Sequence, residues 1–300
     1  MNFDALTSCF ASAACSVTQL STGLIIGMLL FLVASGLSLI FGVLRVTNFA
    51  HGGIYMLGAY FAYTAYQVTG SFTVALLAGA LGAGIAGVAF ERFIISRVYG
   101  ADLLMQLLVC YAVTLILDDL VKLVYGGDYR MMGMPAAFGT APISLGGGFI
   151  PSYYLFMIGV SAVAGLLLWL GITYTRLGKI TRALAANPRM VGVLGINTSL
   201  LYGLVFGIGS GLAGLAGALA APIRTLTPGM GLSFLIDSFI VTVIGGMGSI
   251  PGALLASLLV GIIRSLGAIG FPLFTDGLMF GLMALVLVVK PTGLLGRESV

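Results

Sequence analysis

The chain carries one histidine, His51, within the segment Arg45-Val-Thr-Asn-Phe-Ala-His-Gly-Gly53, which lies between two apolar stretches. Thr47, Asn48 and His51 offer hydrogen-bonding groups there, and Gly52 and Gly53 permit a break in a helix. A helix broken at membrane depth frees backbone groups that can bind a polar solute. The same residues would also serve as a polar turn at the membrane surface, with His51 capping a helix. A second break, Gly245-Gly-Met-Gly-Ser-Ile-Pro-Gly252, interrupts another apolar stretch, with Gly245, Gly246 and Gly248 at its start. It lacks the Lys-Ser/Thr pair and the preceding strand of a phosphate-binding loop. It reads either as a discontinuous membrane helix or as a tight turn between two short crossings.

Acids are the third candidate. Asp118, Asp119 and Lys122 close an apolar helix, where ionisable groups are expensive and often functional. Their spacing predicts an interfacial pair between Asp118 and Lys122 at i, i+4. Asp237 and Asp276 read as similar interfacial caps. No catalytic set emerges. A lone His without a Ser–His–Asp arrangement gives no activated nucleophile. Asp118 and Asp119 point about 100° apart on a helix and cannot face each other as a paired aspartyl site. No stretch would hydrolyse ATP. Three Cys and one His leave too few ligands for a cysteine-rich zinc site, so neither metal nor cofactor is expected on this chain.

These residues need a scaffold, and the composition says which. Of 300 residues, 60% are hydrophobic and 7% charged, against about 25% charged in a soluble chain. The mean hydropathy is +1.16. Such a chain cannot cover its own surface in water. A helix crosses the hydrocarbon core with about 20 apolar residues, and the charge-free gaps Asp4–Arg45, Arg45–Glu91, Arg130–Arg176 and Arg189–Arg224 each hold one or two such crossings. Barrel-like alternation is absent. The expected fold is all-α, a polytopic transmembrane bundle of eight to nine segments with Gly-broken helices. Crossings are expected near 20–44, 54–68, 72–90, 103–123, 152–174, 198–220, 235–247, 253–267 and 276–289.

The net charge of +4 follows topology and does not imply nucleic-acid binding. With the N-terminus outside, the inner loops hold Arg45, Arg92, Arg97, Arg176, Lys179, Arg182, Arg189, Lys290 and Arg297, and the outer ones Lys122, Arg130, Arg224 and Arg264. This asymmetry places the C-terminus in the cytoplasm, and both breaks fall on the cytoplasmic side. The first eighteen residues have no basic region, which argues against a cleaved secretory signal. Cys9 and Cys15 would lie outside, where a disulfide is permitted, although two free thiols are the expectation. Cys110 should pack inside a helix.

Residues 176–195 form one structured inner element. Leu177–Asn187 predicts a short helix ended by Pro188, and a second short stretch leads to Gly195. The connection 125–151 reads as an outer loop that partly covers the bundle. Small residues recur every four positions at Gly203/Gly207/Gly211, Gly209/Ala213/Gly217/Ala221 and Gly79/Ala83/Gly87. They are packing seams, either within the chain or against a second subunit.

Four stretches in order resemble the permeases of branched-chain amino acid ABC importers of the LivH kind. They are SGLSLIFGVLRVTNFAHGGIYMLGAY, GKITRALAANPRMVGVLGIN, IGGMGSIPGALLASLLVG and VKPTGLLGR. The resemblance runs from about Leu20 to Arg297 and leaves out the divergent segment 1–18. It implies a single permease domain over 1–300 in a bacterial inner membrane. Its implied partners are a second homologous permease, two cytoplasmic ATPases that carry ATP and Mg, a periplasmic solute-binding protein and membrane lipid, with no nucleic acid. It also implies that 176–195 is the coupling loop, with Arg182, Ala183, Ala185, Asn187, Gly192 and Gly195 at the ATPase contact. Ala186 departs from the acid or amide of many relatives, and Asp118-Asp119 from an amide-rich pair. The solute would be leucine, isoleucine or valine, with urea, short amides or aromatic acids as the alternative within the family, and an ATP-independent carrier or channel as the alternative class. Thr47, Asn48, His51, Gly52, Gly245, Gly246 and Gly248 are expected along a narrow, mostly apolar passage without a deep charged pocket.

Overall fold

The computed structural model describes residues 3–139, 142–145 and 148–296. Arg297, counted above among the inner basic residues, lies outside them. Among the described residues the chain forms twelve α-helices: α1 (Phe3–Ala11), α2 (Ala13–Leu44), α3 (His51–Thr69), α4 (Phe72–Phe93), α5 (Leu103–Tyr125), α6 (Ser152–Tyr174), α7 (Arg176–Ala186), α8 (Pro188–Val193), α9 (Thr198–Ala220), α10 (Met230–Gly245), α11 (Ile250–Gly270) and α12 (Thr275–Val289). Six of the helical stretches are long and apolar enough to cross a bilayer: α2, Phe72–Arg97 with α4, α6, α9, α11 and Pro272–Val289 with α12. The other expected crossings, 54–68, 103–123 and 235–247, coincide with α3, α5 and the shorter α10.

Local chemistry sets the helix starts. Asp102 caps α5 by accepting from Met105 N–H at 3.2 Å, and Asn197 caps α9 through Leu200 N–H at 3.1 Å. Ser249 does the same for α11, whose first turn contains Pro251. Each side chain takes up a backbone donor that has no partner inside the helix.

The small-residue seams lie inside the chain. Gly79, Gly84 and Gly87 of α4 face Gly214, Gly207 and Ser210 of α9. Gly36 of α2 meets Gly209, and Gly58 of α3 meets Gly214, so close that added Cβ atoms would strike backbone. Thus α9 is wedged among α2, α3 and α4, while α11 packs along α2 on the other side. Between α5 and α6 the connection folds back on the bundle. Phe138 packs on Phe72, Tyr153 and Phe156, and a short hairpin pairs Ile143–Leu145 with Gly148–Ile150 beside α2.

Three expectations are corrected. Cys9 and Cys15 form a disulfide, because the break at Ser12 between α1 and α2 folds the two helices onto each other and brings their Cα atoms to 5.1 Å. Lys122 pairs with Asp119 at i, i+3, 2.9 Å apart, rather than with Asp118. The Asp118 carboxylate instead faces the backbone N–H of Gly229. Asp237 is no interfacial cap. It lies mid-α10, buried, and is ion-paired with Arg264 of α11.

Gly58→Val should lower stability by about 3 kcal/mol, because its Cβ would collide with the Gly214 backbone. Gly281, open on its Cβ side, is the control, and Gly281→Val should change little. Thermal unfolding in detergent checks both.

Candidate functional site

Arg45 ends α2 in left-handed backbone, φ 56°. This turns the chain back along the helix it has just left. The six residues Arg45–Ala50 carry no regular structure into α3. His51, the first residue of α3, reaches the Val33 carbonyl with Nε2 at 3.1 Å. From Val33 to Leu44 is about 16 Å along α2. The break is therefore re-entrant and α3 begins well inside the bundle. The segment count alone would leave it at the surface.

A carbonyl only accepts, so His51 Nε2 carries the proton and Nδ1 is left as an acceptor. That Nδ1 has no partner among the described residues; neither do Thr47 Oγ1 and Asn48 Nδ2, all three atoms being buried. The other end of the Asn48 side chain accepts from Ala50 N–H at 3.1 Å and holds the loop in shape. A buried polar group without a partner costs about 1–3 kcal/mol, and Thr47, Asn48 and His51 place three such atoms close together in the chain at the start of α3.

Thr47 and Asn48 open onto a small cavity. Its walls are Leu37 and Phe41 of α2 and Leu235, Phe239 and Thr242 of α10, with Met247 below and Phe49 beside Phe239. The lining is apolar apart from three side chains, and the volume is about 10 Å³, room for about one water. His51 lies behind this wall, against α2. Gly52 meets Gly231 and Leu235 and lets α10 lie on the start of α3.

The second break is a tight turn. Residues 246–249 link α10 to α11 as a helical hairpin, with Gly245 packed on Gly252. Gly246 and Gly248 take φ of 96° and 88°, backbone that side chains disfavour. Gly248 lies on Gly42 near the end of α2, and Gly246 lies against Thr292 and Gly296. The C-terminal segment seals this end, because Leu294 and Leu295 donate backbone hydrogen bonds to the free carbonyls of Ile244 and Gly245. Of this break, only Met247 reaches the cavity beside Thr47 and Asn48.

The 176–195 element is α7 and α8, joined at Asn187, which ends the first and caps the second through Met190 N–H at 3.1 Å. Pro188 begins α8, where its missing N–H costs nothing. Arg182 is spent inside the chain: it donates to the Ile172 and Thr173 carbonyls and closes the end of α6. Ala183, Asn187, Gly192 and Gly195 are exposed and Ala185 is half-buried. Gly195 takes φ 77°. Sequence reading passed over Met190 and Val193 of α8 and Leu194 just after it, which are 59, 82 and 71% exposed. The available signal was three apolar residues in a basic loop.

His51→Phe keeps the ring volume and loses the bond to Val33; stability should fall by about 1 kcal/mol. Thr47→Val removes an unpaired hydroxyl and should leave the melting temperature unchanged or higher. The two melting curves in detergent check the assignment.

Residues 19–288 match the family model described as branched-chain amino acid transport system / permease component. The chain is 33% identical to the high-affinity branched-chain amino acid transport system permease protein BraD of Pseudomonas aeruginosa, over 94% of this chain and 96% of that one. It is 32% identical to the corresponding permease protein LivH of Escherichia coli, over the same shares. A probable branched-chain amino acid transport permease protein LivH of Methanocaldococcus jannaschii is 27% identical over 93% of this chain and 92% of that one. A family match of this extent, on a bundle of apolar helices, makes the chain a multi-pass membrane protein that belongs to the branched-chain amino acid transport system permease family.

Proposed function

We propose that the chain is the permease subunit of an ABC importer and passes branched-chain amino acids, or related small amphipathic solutes, into the cytoplasm. The observation that carries this reading is the re-entrant loop inside the bundle, where the unpaired Thr47 Oγ1 and Asn48 Nδ2 stand beside a small, mostly apolar cavity and the unpaired His51 Nδ1 lies behind its wall. Such a wall matches a solute with one polar end and one aliphatic end. It offers no charged pocket, so the solute would bind weakly and leave readily. Selection would then rest with a periplasmic binding protein.

ATP hydrolysis belongs, in this reading, to two cytoplasmic ATPases with their own Mg, and a second homologous permease completes the path. The α7–α8 element would enter an ATPase cleft through exposed Ala183, Asn187, Gly192 and Gly195, with half-buried Ala185 beneath them, and through the apolar residues exposed along α8 and at its end. Arg182, anchored on α6, would pass the motion of the loop to the bundle rather than touch the ATPase. On the basic asymmetry, α7 and α8 would lie on the cytoplasmic side of a bacterial inner membrane and the Cys9–Cys15 disulfide on the periplasmic side.

Proteoliposomes that hold both permeases, the ATPases and the binding protein should take up leucine only with ATP. Thr47→Val should cut uptake several-fold without loss of stability or of binding-protein affinity. Full uptake by that variant would remove the loop from the path, and uptake without ATP or ATPases would make the chain a carrier. Urea, amides and aromatic acids as competitors would show any other solute choice.

Val193→Asp and Leu194→Asp should uncouple ATP hydrolysis from uptake or block assembly, as should Ala185→Trp; normal assembly and uptake in all three would reject the docking. In intact spheroplasts, an impermeant thiol reagent should label Cys9 and Cys15 only after reduction. Labelling that also requires a permeabilised membrane would reverse the orientation.

A further inference from the structure

A second cavity, about 160 Å³, opens between α10, α11 and α12. It lies on the opposite face of α10 from the Thr47–Asn48 cavity: Ser233, Asp237 and Ile240 share one helical stripe, and Leu235, Phe239 and Thr242 the other. Its chemistry is also opposite. Asp237 is 10% exposed and paired with Arg264, itself 29% exposed. Asp276, in the first turn of α12, brings a second carboxylate to the same space, with Met279 and Phe280 as apolar wall. Arg224 stands close by, over the Phe234 ring at 4.7 Å and near enough to act on Arg264. Two cations and two anions thus sum to zero around a hollow many times larger than one water.

Charges held in an apolar bundle are expensive unless they meet partners. Asp237 satisfies only part of a guanidinium with five donors, and Asp276 forms no ion pair among the described residues. A neutral ligand that carries both charges would complement both groups and leave the balance intact. Exposed Ile236 and Phe280 rim the hollow and give the rest of such a ligand an apolar surface.

We propose that this cleft binds a zwitterion with a primary ammonium, its anionic oxygens on Arg264 and its ammonium on Asp276. Two sources carry that chemistry: the phosphatidylethanolamine headgroup, with acyl chains running down past Ile236 and Phe280, and a free aliphatic amino acid. The inference is independent of the transport reading, because the cleft shares no lining residue with the Thr47–Asn48 cavity.

The test uses the purified full chain in nanodiscs. In the first arm the discs hold phosphatidylethanolamine, phosphatidylcholine and phosphatidylglycerol in equal parts, and native mass spectrometry reads the lipid retained. Phosphatidylcholine has no N–H donor and phosphatidylglycerol no ammonium, so each removes one feature. The second arm measures binding of radiolabelled leucine in discs without phosphatidylethanolamine. Asp276→Asn removes the ammonium partner, and Ile236→Trp fills the hollow without touching a charge. Wild type should favour phosphatidylethanolamine over phosphatidylcholine, and both variants should lose about two- to fivefold of that preference. Leucine binding lost in both variants would identify the solute as the source. The proposal is overturned if neither ligand is preferred, or if both variants, folded by their melting curves, retain ligand as the wild type does.

Discussion

The missing Cβ is the constraint on which this bundle rests. In lipid, helices gain nothing from the exclusion of apolar side chains, since the surroundings are as apolar as the helix. Dispersion between closely approached backbones must supply the cohesion, and it falls off steeply with distance. Gly36 on Gly209, Gly58 on Gly214 and Gly52 on Gly231 bring three helix pairs to distances at which any side chain would collide with backbone. They fix which helices α9 and α10 touch, and so what stands opposite the re-entrant loop.

That loop follows from the same closeness. α2 is 32 residues long, more than a bilayer core requires, and its last turns leave room for the chain to return beside it. Phe49 is held between Phe239 and α5, where Thr114 Oγ1 donates to its carbonyl at 3.4 Å. The backbone is thus secured on both sides, while Thr47 Oγ1, Asn48 Nδ2 and His51 Nδ1 are left unpaired. Rigid placement together with unpaired polar atoms suits a site that meets a passing ligand.

α10 is the element that separates two environments. One stripe is apolar and walls the small cavity; the other carries Asp237, held to Arg264 within the α10–α11 hairpin. Removal of either partner would strand a buried charge, which is why such pairs persist even where they add little net stability. The hairpin turn is in turn tied to the C-terminal segment by two backbone bonds at the Ile244 and Gly245 carbonyls. The two cavities therefore stand on opposite sides of one short helix anchored at its far end.

The sequence by itself determined the class of the protein. Sixty per cent hydrophobic residues leave only a membrane, the charge-free gaps show where several of the long helices run, and the ordered motifs give the family. It also yielded the polar loop and the α7–α8 element, since Pro188, Asn187 and the lone histidine are local signals. Tertiary structure alone decided the rest. Periodicity shows that Gly79, Ala83 and Gly87 lie on one face but not what they face; that was α9. Spacing pointed Lys122 to Asp118, but Asp119 took it because Asp118 turns toward Gly229. Asp237 read as a cap because its partner is 27 residues away, at Arg264, across a turn whose geometry follows from Gly245 packing on Gly252. The depth of the loop depended on the Val33 carbonyl, 18 residues before His51. Local signals reach one or two helical turns, whereas a close approach or a buried ion pair is fixed only when distant helices meet.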